Sequence, residues 1–379
     1  MFKVFESETI TQAMWVSFAA SLVVAVLLVA TKRWHGRFSI DTHAGVQKFH
    51  KHPTPRVGGI AIFIGVLLAA LVAQPNRQTL LLPLVVAGIP AFFFGLLEDI
   101  TKRVGVGPRL LATMASGTLG WYLTGYSITS VDVMGVDAIL GVTAVAVVFT
   151  SFAVGGVANA INIIDGFNGL AAGTAILILS GFYAVATQFG DSDLARVSLI
   201  LAAAVLGFLF INWPLGKLFL GDGGAYFLGF CIGWLAVLLL QRHTQVSAWA
   251  PLMLCAYPVT EVLYSVWRRR RRRAHPGHPD RLHLHSLIKR RVASRLLPGH
   301  GTLARNSLTG VLMWLASVPP VIAASVWPTN TWVLAFLALT YVCLYIAVYT
   351  RLTQFVGCLG PKLEKRFSAA MERNMKRAP

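Results

Sequence analysis

Five short polar motifs interrupt a strongly apolar chain of 379 residues, and they carry the residue types that could do chemistry. The adjacent carboxylates Glu98 and Asp99 follow directly on an apolar run, where such a pair is costly without a cation. Two like charges side by side can bind Mg²⁺ or hold one raised pKa suited to a general base. Asn159, Asn162 and Asp165 are spaced three apart and would share a helix face, with Asn168 just beyond and Gly166 and Gly169 able to break the helix. Asp222, between Gly221 and Gly223-Gly224, stands where backbone can approach phosphate oxygens while one carboxylate reaches a metal. Arg281, His283 and His285, following Asp280, suit recognition of a diphosphate. Lys48, His50 and Arg56 surround Pro53-Thr54-Pro55 and are candidate phosphate or headgroup contacts, although topological charge placement would account for Lys and Arg as well.

These motifs need elements to position them, and composition says what kind. With 56% hydrophobic and only 13% charged residues and a mean hydropathy of +0.66, the chain is no ordinary water-soluble domain. Eleven apolar windows of about the length a bilayer core requires lie near 11–31, 57–75, 78–97, 109–127, 138–158, 170–187, 196–212, 223–240, 248–267, 308–326 and 331–350. The expected fold is therefore all-α, a polytopic membrane protein forming one integral-membrane domain over 1–379. It should carry a basic loop at 268–307 and a basic tail at 351–379. The first window follows Glu6 and Glu8 and lacks a small-residue cleavage site, so it is expected to stay as a span.

Counting from that span, all five motifs fall on one side of the bilayer. All but four of the 33 lysines and arginines fall there too, the exceptions being Lys3, Arg77, Arg196 and Arg242. The positive-inside rule then places the amino terminus outside and the carboxy terminus in the cytoplasm. The arginine run Arg268–Arg273 reads as a topological stop. The net charge of +18 would draw phosphorylated substrates and anionic headgroups to that face, and no nucleic acid partner is expected. The four cysteines form no CxxC pair, which argues against a disulfide framework or a zinc site. Glu261 lies inside a window, where it should face a cavity or pair with a basic neighbour. It is almost the only carboxylate within the spans, whereas a secondary transporter would place its charged sites near the midplane. Acidic stations, amides and glycines at one edge suit instead a phosphoryl transfer between a soluble and a lipid phosphate, with carboxylate-held Mg²⁺ bridging diphosphate oxygens.

In this order, over about 48–286, the motifs resemble those of the polyprenyl-phosphate N-acetylhexosamine-1-phosphate transferases, the WecA/MraY-type glycosyltransferase family 4, and the span count is similar to the WecA-like branch. The resemblance implies transfer of an N-acetylhexosamine 1-phosphate, GlcNAc-1-phosphate foremost, from a UDP-sugar to undecaprenyl phosphate. UMP would be released and a lipid-linked polysaccharide such as O-antigen or exopolysaccharide initiated at the bacterial inner membrane. It implies Asp222 as the Mg²⁺ ligand, with Mn²⁺ able to substitute. It further implies Asp99 with Glu98 as the acidic pair handling lipid phosphate or metal, Asp165 with Asn162 as the nucleotide-sugar motif, and Arg281, His283 and His285 as the loop gripping diphosphate and sugar. Three positions depart from the commonest pattern: Glu98 for Asp, Asn168 for a second Asp, and Ser286 for a further His. These departures leave open a modified sugar such as FucNAc or QuiNAc. The longer His-rich signature of the muramyl-pentapeptide branch is missing from the loop. A homodimer is an open option for the assembly.

Overall fold

The computed structural model describes residues 2–40, 54–73, 80–271 and 282–357, with side chains between 11 and 354 of that range. Lys48, His50 and Arg281 lie outside the described residues, as does most of the basic tail. The described chain is helical: α1 (Phe2–Ala30), α2 (Lys32–Ser39), α3 (Gly59–Val72), α4 (Leu81–Ala87), α5 (Ile89–Thr101), α6 (Val106–Thr124), α7 (Val136–Leu140), α8 (Thr143–Ile164), α9 (Leu170–Gln188), α10 (Ser192–Asn212), α11 (Gly221–Arg242), α12 (Trp249–Leu254), α13 (Ala256–Arg271), α14 (Leu284–Ile288), α15 (Ser294–Leu296) after a π-helical turn, α16 (Thr302–Val326) and α17 (Thr331–Gly357).

Seven of these helices are long and apolar enough to cross a membrane, and the pair α4–α5, bent by 44°, makes up to eight. This is a multi-pass membrane protein, and eleven apolar windows correspond to these seven or eight long helices together with shorter ones among the described residues. The window 57–75 contains a helix of only 14 residues, and 248–267 breaks at Cys255 into α12 and α13. The window 109–127 becomes α6, whose Arg109, Ser116, Gly117 and Gly120 dilute its hydropathy. Those small residues serve packing, since membrane helices gain association from close backbone approach rather than from the hydrophobic effect. A Cβ on Gly117 would lie 2.7 Å from the Ser151 backbone of α8.

Helix α11 is the centre of the bundle. It is apolar on all sides, as a helix enclosed by others must be, and 89% of its spanning window is buried. It packs against α8 and α5 on its flanks and touches α3, α6 and α9. Its amino-terminal end, Gly221–Gly224, thereby meets the carboxy-terminal ends of α5 and α8 and the loop before α3. The described parts of all five motifs consequently lie at one end of the bundle.

Candidate active site

The site is assembled around the first turn of α11. The extended segment before α3 pairs with the approach to that turn, Phe219 N–H donating to Pro55 O at 2.9 Å and Gly58 and Gly59 N–H to Phe219 O and Leu220 O. Gly59 and Gly224 then touch through backbone alone, and a Cβ on either would overlap the backbone of the other. This contact brings Arg56 over Asp222: its Nη2 donates to Asp222 Oδ1 at 3.1 Å. Arg109, one turn into α6, donates to Asp222 Oδ2, and its guanidinium lies 5.6 Å from the Tyr226 ring. Asn162 Nδ2 donates to Asp222 Oδ1 at 3.1 Å, and Tyr226 OH to Asn159 Oδ1 at 3.4 Å.

Asp99 takes a different place from the one its motif suggested. It is 1% exposed, and its two oxygens accept the backbone N–H groups of Asp222 and Gly223, each at 2.9 Å. The first N–H groups of a helix lack intrahelical partners, and here a carboxylate from another helix satisfies two of them. Asp99 therefore builds the Gly-Asp-Gly-Gly turn rather than facing open space. Glu98 likewise serves its own turn: Oε2 accepts Val104 N–H at 2.7 Å, while Lys102, in the left-handed conformation with φ 57°, ends α5.

Helix α8 ends at Ile164, so Asn159 and Asn162 are on its last turns and Asp165 is the first residue beyond. Asp165 is half-buried, and that desolvation raises its carboxyl to a pKa of about 6, against the opposing pull of the Arg56 guanidinium and the Gly221 N–H. The loop after it is fixed by tryptophans. Trp314 Nε1 donates to Gly169 O at 2.9 Å, and Trp213 sits against Gly169, whose φ of 75° starts α9. The turn carries Asn168 inward. That residue is fully buried, and its amide bonds to no group among the described residues, so it does not face substrate as expected.

The two histidines are buried, being 5% and 3% exposed. A buried carboxylate needs donors, and Glu261 takes its own from this loop: His283 Nδ1 at 2.9 Å and Leu284 N–H at 3.2 Å, with Tyr345 OH at 2.9 Å. The expected basic neighbour of Glu261 is thus His283. The His285 ring stacks on His283 and meets Phe167 edge-on at 5.5 Å, beside Gly166. Lys289, 5.1 Å from the Phe167 ring, has its pKa lowered to about 8 by burial and by Arg305.

Sequence reasoning passed over Arg109 and Tyr226; Arg56, a candidate phosphate or headgroup contact, is placed on Asp222. The available signal was an arginine at the inner edge of an apolar window, the place where an unpaired cation is costly.

Among the described residues no three His, Cys, Asp or Glu gather to hold a metal ion. Mg²⁺ does not require such a cage, because it is commonly bound by one or two carboxylates plus substrate phosphates. Asp222 is a hard oxygen donor, but both its oxygens are engaged by Arg56, Arg109 and Asn162, so it fits an ion that arrives with a diphosphate only as the phosphates draw the two guanidinium groups away.

The description "Glycosyl transferase family 4" matches residues 81–240. The chain is 29% identical over 272 residues to a probable undecaprenyl-phosphate N-acetylglucosaminyl 1-phosphate transferase of Bacillus subtilis, covering 71% of this chain and 75% of that one. It is 29% identical to the decaprenyl-phosphate N-acetylglucosaminephosphotransferase of Mycolicibacterium smegmatis, over 66% and 68% of the two chains. It is 28% identical to the undecaprenyl-phosphate alpha-N-acetylglucosaminyl 1-phosphate transferase of Escherichia coli K12, over 69% and 75%. The matched residues 81–240 hold Glu98, Asp99, Arg109, Asp165 and Asp222, so the chain is similar to glycosyl transferase family 4 through the segment that builds this site.

Proposed function

We propose that this enzyme transfers an N-acetylhexosamine 1-phosphate, GlcNAc-1-phosphate foremost, from a UDP-sugar to undecaprenyl phosphate and releases UMP. The observation that carries the reading is the Asp222 carboxylate held between Arg56 and Arg109 at the amino-terminal end of the central helix. Two guanidinium groups at one carboxylate form a ready seat for a diphosphate, since each can turn one fork to phosphate oxygens. In the transfer, an oxygen of the lipid phosphate attacks the sugar-bearing phosphorus, and the bridge to the uridine-bearing phosphorus breaks, UMP leaving with its electron pair. Such a reaction is largely positioning and charge stabilisation.

Asp165 is the residue for the proton. Its carboxyl, at about 6, matches the second pKa of a phosphate monoester, near 6, so a proton can pass from lipid phosphate to carboxylate with little cost. Asp222 would hold Mg²⁺, or Mn²⁺ in its place, and the bound ion would supply charge neutralisation of the diphosphate. Asn159 and Asn162 orient these groups, and Asp99 acts by forming the turn that presents Asp222. Lys48, His50 and Arg281 are assigned to substrate phosphates by their motifs. The whole chain acts as one membrane domain with its site on the cytoplasmic face of the bacterial inner membrane. This placement is supported by the position of all but four lysines and arginines. The product would initiate an O-antigen, enterobacterial-type or exopolysaccharide chain.

Purified protein given undecaprenyl phosphate and a panel of UDP-N-acetylhexosamines, with UMP and product mass as readouts, tests the proposal. UMP release with only a modified sugar such as UDP-FucNAc would correct the donor, and no release with any donor would overturn the function.

A further inference from the structure

Glu261 and Arg268 are both almost fully buried, and they are seven residues apart on α13, two turns on one face. They end on the same three-residue segment. Arg268 Nη1 donates to Leu282 O at 2.7 Å, and Glu261 accepts Leu284 N–H and His283 Nδ1. Helix α17 completes each grip from the other side: Tyr345 OH donates to Glu261 Oε2 at 2.9 Å, and Arg268 Nη1 donates to Tyr349 OH at 2.7 Å. Two rungs, one acidic and one basic, thus hold the peptide groups on either side of His283.

A buried ion pair or charged group is a poor source of stability, because apolar residues of like volume often do as well. Two oppositely charged groups spent on one short loop therefore ask for a role beyond holding the fold. Glu261 can only accept, so His283 carries its hydrogen on Nδ1 and its ring orientation is set. The ring stacks on His285 at 5.2 Å and 11°, and His285 Nε2 lies 3.2 Å from where a Cβ of Gly166, next to Asp165, would stand.

We propose that Glu261, Arg268, Tyr345 and Tyr349 are positioning residues that hold the two histidines against the Asp165 loop for the nucleotide-sugar donor, which makes α17 part of the donor site. This rests on the donor reading given above. The expectation is selective. Full-length Glu261→Gln enzyme should show a KM for the UDP-sugar raised about tenfold, the scale of one lost hydrogen bond to a charged group, with the KM for undecaprenyl phosphate within about twofold of wild type. Tyr345→Phe, a milder change that keeps the ring, should raise the same KM about threefold, and adding it to Glu261→Gln should cost nothing further, since both act on one rung. Tyr349→Phe should act like Tyr345→Phe. With wild-type turnover established, variants that lower thermal stability while keeping the wild-type KM for the UDP-sugar would overturn the clamp alone, as would equal rises in both KM values. Absence of UMP release by the wild-type enzyme would overturn the proposed function, and the donor role of the clamp with it.

Discussion

Replacing Asp99 by Asn should damage the fold more than replacing Asp222 by Asn, although both change one oxygen to nitrogen in the same motif cluster. Asp99 is 1% exposed and receives two backbone N–H groups at 2.9 Å. Asparagine keeps one acceptor and sets an NH₂ against the other N–H, so one charge-assisted bond is lost, one is weakened, and a buried donor is left without a partner. Each such bond to a charged group contributes about 1.5–3 kcal/mol, and relief of the buried charge offsets part of the loss. The net cost is about 2–3 kcal/mol. At Asp222 the bonded groups are side chains, among them Arg56 at 29% exposure, which can turn to solvent. Arg109, at 13% exposure, loses its counter-charge but keeps the neutral oxygen as a partner, so Asp222→Asn should cost about 1–2 kcal/mol, less than Asp99→Asn. Both variants should lose UMP release. Thermal unfolding of the detergent-solubilised proteins, followed by tryptophan fluorescence beside an assay of UMP, separates the two effects. Wild-type unfolding of Asp99→Asn, or a larger loss for Asp222→Asn, would refute the assignment of Asp99 to the turn.

Three further outcomes are expected. Arg109→Gln removes one of two cations from Asp222 and should lower kcat/KM for the UDP-sugar about ten- to hundredfold with the same product mass; unchanged kinetics would remove Arg109 from the site. EDTA should stop UMP release and Mg²⁺ or Mn²⁺ restore it, and transfer that continues after chelation would discount the role given to Asp222. At the opposite end of the bundle, Asp191 caps α10 through Leu194 N–H and binds Arg242 at 2.6 and 2.9 Å, which together with the His243 hydrogen bond lowers its pKa to about 2 despite partial burial. A depressed carboxylate contributes stability that is complete above its ordinary value, 3.8, and is lost as pH falls through about 2. Asp191→Asn, which keeps the cap, should thus cost up to about 2 kcal/mol at neutral pH and leave both KM values as they are. Equal thermal stability of the two proteins at pH 7 would contradict this.

Much of the site could be read from the chain because its motifs lie at helix ends, and helix ends follow from hydropathy. Gly221–Gly224 opens α11 and Glu98-Asp99 closes α5, as the apolar windows imply. What escaped was pairing between distant positions. Nothing local to Asp99 says that its oxygens cap a helix 123 residues later, and nothing near His283 points to Glu261. Arg268 stood at the head of a six-arginine run and was read with it as a charge barrier, whereas its neighbours in space make it a buried hydrogen-bond donor. Helices and apolar windows differ for a related reason: a window average cannot tell a lipid-facing helix from one such as α3, short and wedged against α1 and α10.

The meeting of Gly59 with Gly224 has a wider meaning for how this protein can vary. Neither residue carries charge or a side chain, yet their bare approach determines how near Arg56 comes to Asp222. Even a methyl group at either position would wedge the two segments apart, so mutational surveys confined to ionisable residues would miss two of the most sensitive positions in the enzyme.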